Sequence, residues 1–255
     1  MFGKLVAVPL AAASLAAVGC FQSGANVDSR HVNAAAVHQS YEVLYDAAGG
    51  RTHHFARFRV GAGGTNLVLT PPVGVSANGQ PLGERDGMLL AGTLPGKHYT
   101  GTAVGFQPDH DFQFTGPDGK TYSNRTRVER IDHHPAQPVE LSRAANHEVR
   151  FAGPPLRAGE TAVLVLNSDV PAPPAPPAPP AGAAAPPAVR TATAHANAAG
   201  ATSVVLAAAL ARMPDGAARM QWTREWKQPL LSDTGGGGEI VAIYKSKQLA
   251  VTLVK

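Results

Sequence analysis

The fold class follows from a strand pattern and a turn pattern that stand side by side in Asp109-His110-Asp111-Phe112-Gln113-Phe114-Thr115-Gly116-Pro117-Asp118-Gly119. Two phenylalanines alternate with Asp111 and Gln113, which gives one apolar face and one polar face at a period of two residues. Pro117-Asp118-Gly119 then supplies turn chemistry, because proline presets φ, aspartate caps the turn and glycine accepts a positive φ. The stretch therefore predicts a half-buried β-strand that ends in a tight turn.

Similar runs recur on both sides of this stretch. Asn78-Gly79 is a two-residue hairpin signal, and Gly49-Gly50 separates two further strand-like runs. The runs are about ten residues apart, and none of them shows the 3.6-residue apolar stripe of a helix. This spacing predicts an all-β protein built as a sandwich or barrel. The other predicted strands before the proline-rich region occupy residues 41–45, 55–60, 66–70, 99–104, 147–151 and 161–166.

The last part of the chain continues the β pattern. Met220, Trp222, Arg224 and Trp226 fall on one face of a predicted strand. Residues 239–244 and 249–254 are expected to form a terminal hairpin joined through residues 245–248, whereas residues 204–212 fit either a strand or a short helix. Strand spacing and the tryptophan-bearing strand resemble the immunoglobulin-like β-sandwich modules of bacterial envelope proteins. The Cys…Trp…Cys signature of true immunoglobulin domains is missing, and the resemblance implies an architecture rather than an activity.

A segment rich in proline and alanine interrupts the β pattern. Residues 171–187 contain nine prolines, seven alanines and one glycine. Such a composition predicts an extended polyproline II rod with a solvated backbone. We interpret residues 170–200 as a disordered linker or insertion and expect residues 188–200 to be poorly ordered. The alternative, a docking motif for a proline-rich reader, is less favoured.

Two architectures fit the parts on either side of this segment. Residues 41–169 are expected to form the β-sandwich domain, and residues 201–255 are few for an isolated domain without a disulfide. The final segment either completes the first sandwich, which makes residues 170–200 a surface insertion, or forms a small second module. We favour completion of one sandwich.

The N-terminus has the layout of a secretory signal peptide. Lys4 precedes an apolar run over residues 5–18, which is too short to span a bilayer core. Ala17-Val18-Gly19-Cys20 resembles a bacterial lipobox, although members of that class usually carry leucine where this chain has Ala17. Cys20 is the single cysteine of the chain, and acylation would explain a thiol that has no disulfide partner. The alternative is an ordinary cleavage site that leaves Cys20 as an incidental residue.

The lipobox resemblance implies a location. Residues 1–19 would be a lipoprotein signal peptide, and residues 20–40 an acylated cysteine with a flexible tether. Phe21 stands where a retained inner-membrane lipoprotein carries aspartate. In a Gram-negative host the resemblance therefore implies a lipid anchor in the outer membrane, facing the periplasm. The formal charge of +4 is spread without a basic run, and no nucleic-acid partner is expected.

Motifs for chemistry are sparse. The hydrolase elbow, the zinc-protease helix motif and the phosphate-binding loop are all missing from the sequence, so neither an enzyme nor a cofactor is expected. Histidine and aspartate are common metal ligands, and they form local clusters in this sequence. The adjacent pair His53-His54 is a further cluster of this kind. Neighbouring residues of a strand point to opposite faces, so we interpret these side chains as polar, surface-facing strand and loop residues rather than as a metal site. The cluster residues considered are Asp109, His110, Asp111, His133 and His134.

Trp222 and Trp226 are the candidate binding residues. Because both lie on one face of the predicted strand, they could form a flat surface on which a sugar ring stacks, or they could both be buried in the core. We favour the core. The leading functional hypothesis is a non-catalytic envelope lipoprotein that presents a β-sandwich for protein interaction or assembly, with the membrane and an envelope protein as partners. The alternative is a ligand-binding lipoprotein that takes a glycan at Trp222 and Trp226 or a metal at the histidine clusters.

Overall fold

The computed structural model describes residues 26–61, 64–87, 96–136, 139–171, 189–206 and 210–255. The predicted signal peptide, Cys20 and nearly all of the Pro/Ala-rich segment lie outside these ranges. Within them the chain forms β-strands and three single-turn 3₁₀ helices, which confirms the all-β prediction. No helix in the described part is both long enough and apolar enough to cross a membrane.

Ten strands precede residue 128 in the described ranges. They are β1 (Asn26–Asp28), β2 (Val37–Asp46), β3 (Arg51–Val60), β4 (Thr65–Val68), β5 (Gly74–Ala77), β6 (Gln80–Pro81), β7 (Gly83–Gly87), β8 (Gly96–Val104), β9 (Asp109–Thr115) and β10 (Thr121–Arg127). Nine more follow in the described part. They are β11 (Asp132–His133), β12 (Glu140–Ser142), β13 (His147–Ala152), β14 (Glu160–Ser168), β15 (Thr191–Ala196), β16 (Ser203–Leu206), β17 (Gly216–Pro229), β18 (Gly238–Lys245) and β19 (Leu249–Val254).

The largest sheet of the described region has twelve strands. Its main path runs β1-β4-β3-β2-β18-β17-β14-β15, with β8 and β7 added at β3 and β19 and β12 added at β17. β18 pairs in parallel with β2 on one side and antiparallel with β17 on the other. The strands β17, β18 and β19 therefore belong to the sheet that the N-terminal strands build.

The predicted terminal hairpin is wrong, because β18 and β19 both pair with the long strand β17. Residues 245–248 contain no glycine, proline or asparagine to reverse the chain. Ser246 instead donates its N–H to the carbonyl of Trp222 at 2.9 Å and accepts the N–H of Trp222 at its Oγ, also at 2.9 Å. The two strands are successive partners of β17, joined by this serine contact.

A four-stranded sheet, in the order β10-β9-β5-β6, packs on the N-terminal part of the large sheet. Phe112 contacts Tyr41 at 4.9 Å between ring centroids, and Phe114 stacks on Phe58 at 4.3 Å. Both phenylalanines are buried while Gln113 between them is exposed, which confirms the predicted alternation. The predicted turns at Asn78-Gly79 and Pro117-Asp118-Gly119 also join neighbouring antiparallel strands.

The third sheet covers the C-terminal part of the core. It has three strands within the described ranges, in the order β11-β13-β16. Phe151 of β13 meets Trp222 of β17 edge-on, with 5.3 Å between ring centroids. The segment 204–212, ambiguous in the sequence, contributes to strand β16 and, at Leu210–Arg212, to a 3₁₀ turn.

Two predictions of disorder are wrong for the described residues. The tether expected over residues 20–40 contains β1, which pairs in parallel with β4, and the start of β2 at the buried Val37. The segment 188–200 contains β15, which pairs antiparallel with β14. Ala192, Ala194 and Ala196 of β15 are buried and alternate with exposed residues, a period-two pattern that small side chains made hard to recognise in the sequence.

Candidate ligand-binding site

An open pocket of about 550 Å³ lies beside Trp226. Its walls come from the start of β9, the end of β10, the C-terminal part of β17 and the loop before β14. The pocket combines one aromatic side chain with both signs of charge. The charged and aromatic side chains that line it are Asp109, Asp111, Arg125, Arg127, Arg157 and Trp226.

The β9–β10 hairpin builds the charged wall. Its register places Arg127 opposite Asp109 and Arg125 opposite Asp111. The guanidinium Nη1 of Arg127 lies 2.8 Å from Oδ1 of Asp109, and Nε of Arg125 lies 3.8 Å from Oδ1 of Asp111. Arg127 also donates to Glu129 at 3.0 Å. Each cation of this wall thus has an acidic neighbour, and the wall offers donors and acceptors together.

Arg157 and Trp226 form the aromatic wall. The guanidinium carbon of Arg157 lies 3.9 Å from the centroid of the Trp226 ring, a cation–π distance. Glu160 fixes Arg157, because its Oε1 accepts from Nε at 2.9 Å and from Nη2 at 2.6 Å, and its Oε2 accepts the backbone N–H of Arg157 at 2.7 Å. The planar pair is therefore held in place before any ligand arrives.

A buried ion pair supports this wall from behind. Glu160 is 1% exposed and accepts a hydrogen bond from Arg224, which is 2% exposed. Arg224 also donates to the carbonyls of Pro154 at 2.7 Å and Pro155 at 3.1 Å. Burial alone would raise the pKa of Glu160, but hydrogen bonds from Arg157 and Arg224 outweigh burial and hold that pKa below its usual value.

Two buried histidines stand at the β3–β9 contact behind the charged wall. Nε2 of His54 lies 3.0 Å from Nδ1 of His110, and Nε2 of His110 donates to the carbonyl of Gln107 at 2.7 Å. These contacts assign the N–H to Nε2 in both rings and leave Nδ1 of His110 as the acceptor. Burial, followed by the charge of His110, lowers the pKa of His54 to about 4, and burial also lowers that of His110.

The metal candidates from the sequence are not gathered into one site. Within the described ranges, no three side chains of histidine, cysteine, aspartate or glutamate come close enough to hold an ion. His133 meets the carbonyl of Lys247 at 3.0 Å, and His134 accepts the N–H of Ala136 at 3.2 Å. Asp109, His110 and Asp111 line the pocket instead.

The sugar platform of two tryptophans is wrong for Trp222. Its ring is fully buried at 0% exposed and packs against Phe151, so no ligand can stack on it. Trp226 lies farther along β17, is half-buried and lines the pocket. The structure thus separates the two tryptophans into one core residue and one residue of the candidate site.

Several residues of the pocket are not among the candidates that the sequence predicts. Arg125 and Arg127 follow the Pro117-Asp118-Gly119 turn at the same distances in sequence at which Asp111 and Asp109 precede it. The position of the turn is therefore a signal that could have predicted the pairs Arg125–Asp111 and Arg127–Asp109 across the hairpin. Arg157 and Gln228 carried no such signal, because they reach the pocket from a loop and from a distant strand.

Comparisons with known proteins leave the site to be interpreted from its own geometry. No protein-family model matches the chain, and no curated protein sequence matches it significantly. Chemically, the pocket can accept hydroxyl hydrogens at its carboxylates, donate to ligand oxygens from its guanidinium groups, and contact an apolar ring face at the Arg157–Trp226 pair.

Proposed function

We propose that this chain is a lipid-anchored, non-catalytic protein of a bacterial envelope that binds carbohydrate in the pocket beside Trp226. The observation that carries the proposal is the Arg157–Trp226 pair, stacked at 3.9 Å across from the ion pairs of the β9–β10 hairpin. Ligand sites commonly combine an apolar or aromatic surface with a few convergent polar groups. A pocket of about 550 Å³ has room for a small oligosaccharide portion.

The charge of the pocket favours a neutral, hydroxyl-rich ligand over a simple anion or cation. Arg127 is paired with Asp109 and Glu129, and Arg157 is paired with Glu160. A small ion would have to compete with these partners. A sugar can instead bridge them, because each hydroxyl donates to a carboxylate and accepts from a guanidinium group.

The anchor and the architecture belong to the same proposal. Acylation at Cys20 would hold the protein at the membrane without a transmembrane helix, since several acyl chains bind a bilayer stably. The proline-rich residues 171–187 would act as an extended spacer or surface insertion. An immunoglobulin-like β-sandwich interrupted by this disordered segment is the architecture we propose for the whole chain, and such folds carry binding surfaces without implying an activity.

Tryptophan fluorescence tests the pocket directly, because the chain contains two tryptophans with different exposure. The full chain is screened on an oligosaccharide array, and the strongest ligand is titrated while fluorescence is followed. We expect a change that arises from Trp226 and is lost in Trp226→Phe, in which buried Trp222 remains as a reference. Iodide should quench Trp226 and spare Trp222, and the ligand should protect Trp226 from iodide.

Matched arginine variants control this experiment. Arg125→Ala lies in the pocket, whereas Arg150→Ala removes another exposed arginine, which is paired with Glu148 on β13. We expect Arg125→Ala to weaken glycan binding about tenfold and Arg150→Ala to leave it unchanged. No glycan bound by the wild type, or equal binding by Trp226→Ala, would disprove the carbohydrate site.

The anchor has its own test. Cells that express the full chain are labelled with a fatty-acid analogue, and label is expected on the wild type and not on Cys20→Ser. The membrane fraction should lose the Cys20→Ser protein. Persistence of the label in this variant would contradict the anchor while leaving the pocket untouched.

A second candidate, protein interaction by strand addition, rests on β15. This strand ends the path of the large sheet and pairs with β14 on one side. Its sequence, Thr-Ala-Thr-Ala-His-Ala, lacks the lysine, proline or acidic residues that commonly protect an edge. A photo-cross-linker at Thr193 should capture an envelope protein in cells, whereas the same group at exposed Gln113 should not. Equal capture at both positions would reject this candidate.

A further inference from the structure

A second pocket, of about 330 Å³, lies on the opposite face of the large sheet from the aromatic core. Tyr41 and Phe58 point into that core, so their neighbours Ser40 and Arg57 belong to the other face. The strands β2, β3 and β18 supply this pocket. It shares no residue with the pocket beside Trp226.

Arg57 is the unusual residue of this second pocket. It is 8% exposed, its Nη2 donates to Oδ1 of Asn66 at 3.0 Å, and its Nε has no hydrogen-bond partner. No carboxylate forms an ion pair with Arg57 in the described part of the chain. A buried guanidinium normally requires such a partner, because the loss of hydration is costly.

The neighbours of Arg57 increase the positive potential. Register places Ser40 opposite Arg57 and His38 opposite Arg59 on the same face. Burial, followed by the charge of Arg59, lowers the pKa of Arg57. All four side chains line the pocket, and each can donate a hydrogen bond to a negatively charged oxygen.

The acidic residues of the pocket do not neutralise this group. Glu239 is engaged by Lys227, with Nζ 2.6 Å from Oε2. Burial, followed by the charge of Glu225, raises the pKa of Glu42, which favours its neutral form more than in water. Glu239 is thus already paired and Glu42 is harder to ionise than in water, while Arg57 and Arg59 keep their charge.

We propose that this pocket binds the oxyanion group of a ligand, a carboxylate or a phosphate, between Arg57, Arg59, His38 and Ser40. The fork of Arg57 supplies Nε, the atom that lacks a partner, and Arg59 supplies a second guanidinium from the same strand face. Phe55 and Val241 also line the pocket and would contact an apolar part of the same ligand. This site is separate from the carbohydrate pocket and does not depend on it.

Thermal unfolding with simple anions tests the site. The full chain is heated in sodium phosphate or in sodium acetate, each against sodium chloride at the same ionic strength, so that screening is constant. Wild-type Tm should rise by about 3 °C at tenfold excess over the Kd. A rise with phosphate alone identifies a phosphate-type site, and a rise with acetate as well identifies a site that accepts carboxylates.

Variants decide whether Arg57 is responsible. Arg57→Met keeps the aliphatic stem and removes the charge, and Arg59→Gln alters a half-exposed neighbour with less risk to the fold. Both should lose the anion-specific rise, while Arg51→Met, which removes one charge from an exposed position of the same strand, should retain it. No rise in the wild type, or an equal rise in Arg57→Met and Arg59→Gln, would overturn the proposal.

Discussion

Two regions of the molecule each contain a buried arginine, and the two arginines differ in their bonding partners. On the β14–β17 side, Arg224 is 2% exposed and binds Glu160 and two backbone carbonyls. On the β3 side, Arg57 is 8% exposed and has Asn66 as its hydrogen-bond partner. The two side chains are buried to a similar degree, so they differ in whether a carboxylate neutralises the guanidinium group.

This difference separates a supporting role from a binding role. Arg224 and Glu160 neutralise each other within the fold, although Nε of Arg224, like that of Arg57, has no hydrogen-bond partner. Through Glu160 they hold Arg157 against Trp226. Arg57 has no carboxylate partner in the described part of the chain, and a pocket is present where a negatively charged acceptor would sit. A buried cation that the fold satisfies stabilises a neighbouring site, whereas one that the fold leaves unsatisfied points to a site of its own.

The largest expected effect comes from breaking the satisfied pair. Arg224→Met should lower the free energy of unfolding by about 3–5 kcal/mol, because it leaves the buried carboxylate of Glu160 with the partly exposed Arg157 as its remaining cation and removes the donor to two backbone carbonyls. Urea unfolding followed by far-UV circular dichroism measures the loss. Because Glu160 positions Arg157, glycan affinity should also fall.

The double variant Glu160→Gln/Arg224→Met is the control for this prediction. It removes both charges together, and we expect it to recover part of the stability lost in Arg224→Met. If the single variant were as stable as the wild type, the Arg224–Glu160 pair would not stabilise the β14–β17 region.

Acid should affect the two regions in different pH ranges. The pKa of His54, on β3, is lowered to about 4 by burial and by His110, against 6.5 for an ordinary histidine. Between these values the unfolded chain takes up a proton that folded His54 does not, so stability falls as pH falls, by about 3 kcal/mol for this group. The pKa of Glu160 is lowered below 4.5, so its contribution is present above 4.5 and is lost only as pH falls further through its folded pKa.

Urea unfolding at several pH values between 6.5 and 4 measures this slope. His54→Leu removes the group, and its stability should depend less steeply on pH in this range than that of the wild type. Exposed His134 provides the comparison, and His134→Leu should leave the slope unchanged. Equal slopes in His54→Leu and the wild type would contradict a buried, neutral His54.

Local pattern in the sequence was enough for many strands and turns, although it missed β1 and β15, and it was insufficient for the pairing partners of the strands. Phe112 and Phe114 predicted a strand, and Asn78-Gly79 predicted a hairpin, because period-two burial and turn chemistry are local. The pairing of β18 and β19 with β17 depends on a 14-residue strand that offers two successive partners, which no local pattern encodes. The predicted hairpin failed for this reason.

The candidate sites follow the same division. The sequence suggests Asp109 and Asp111 as possible metal ligands and Trp226 as a possible binding residue. Their common pocket could not be predicted, because it requires β9 and β17 to meet in space. Arg57 looked like any polar residue of an alternating strand. Its significance lies in burial without a carboxylate partner, which three-dimensional packing alone reveals.

Removing the unsatisfied charge should have the opposite sign from removing the satisfied one. In buffer free of phosphate and carboxylate, Arg57→Met should raise the free energy of unfolding by about 1 kcal/mol, because an unpaired buried charge is lost while the apolar stem is kept. The lost hydrogen bond to Asn66 offsets part of the gain. Urea unfolding measures it, and a loss as large as that of Arg224→Met would erase the distinction between the two regions.

The smallest expected effect tests whether Arg57 responds to nearby charge. Lys227→Met frees Glu239, which lines the second pocket, from a partly exposed ion pair of the kind worth about 0.5 kcal/mol. Stability should therefore hardly change, but the freed carboxylate should weaken the anion-specific rise in Tm with phosphate. The exposed pair Arg219–Asp169 provides the control, and Arg219→Met should leave that rise intact. A full phosphate response in Lys227→Met would mean that Glu239 is too well screened to influence the Arg57 site, and the pocket would then depend on its arginines alone.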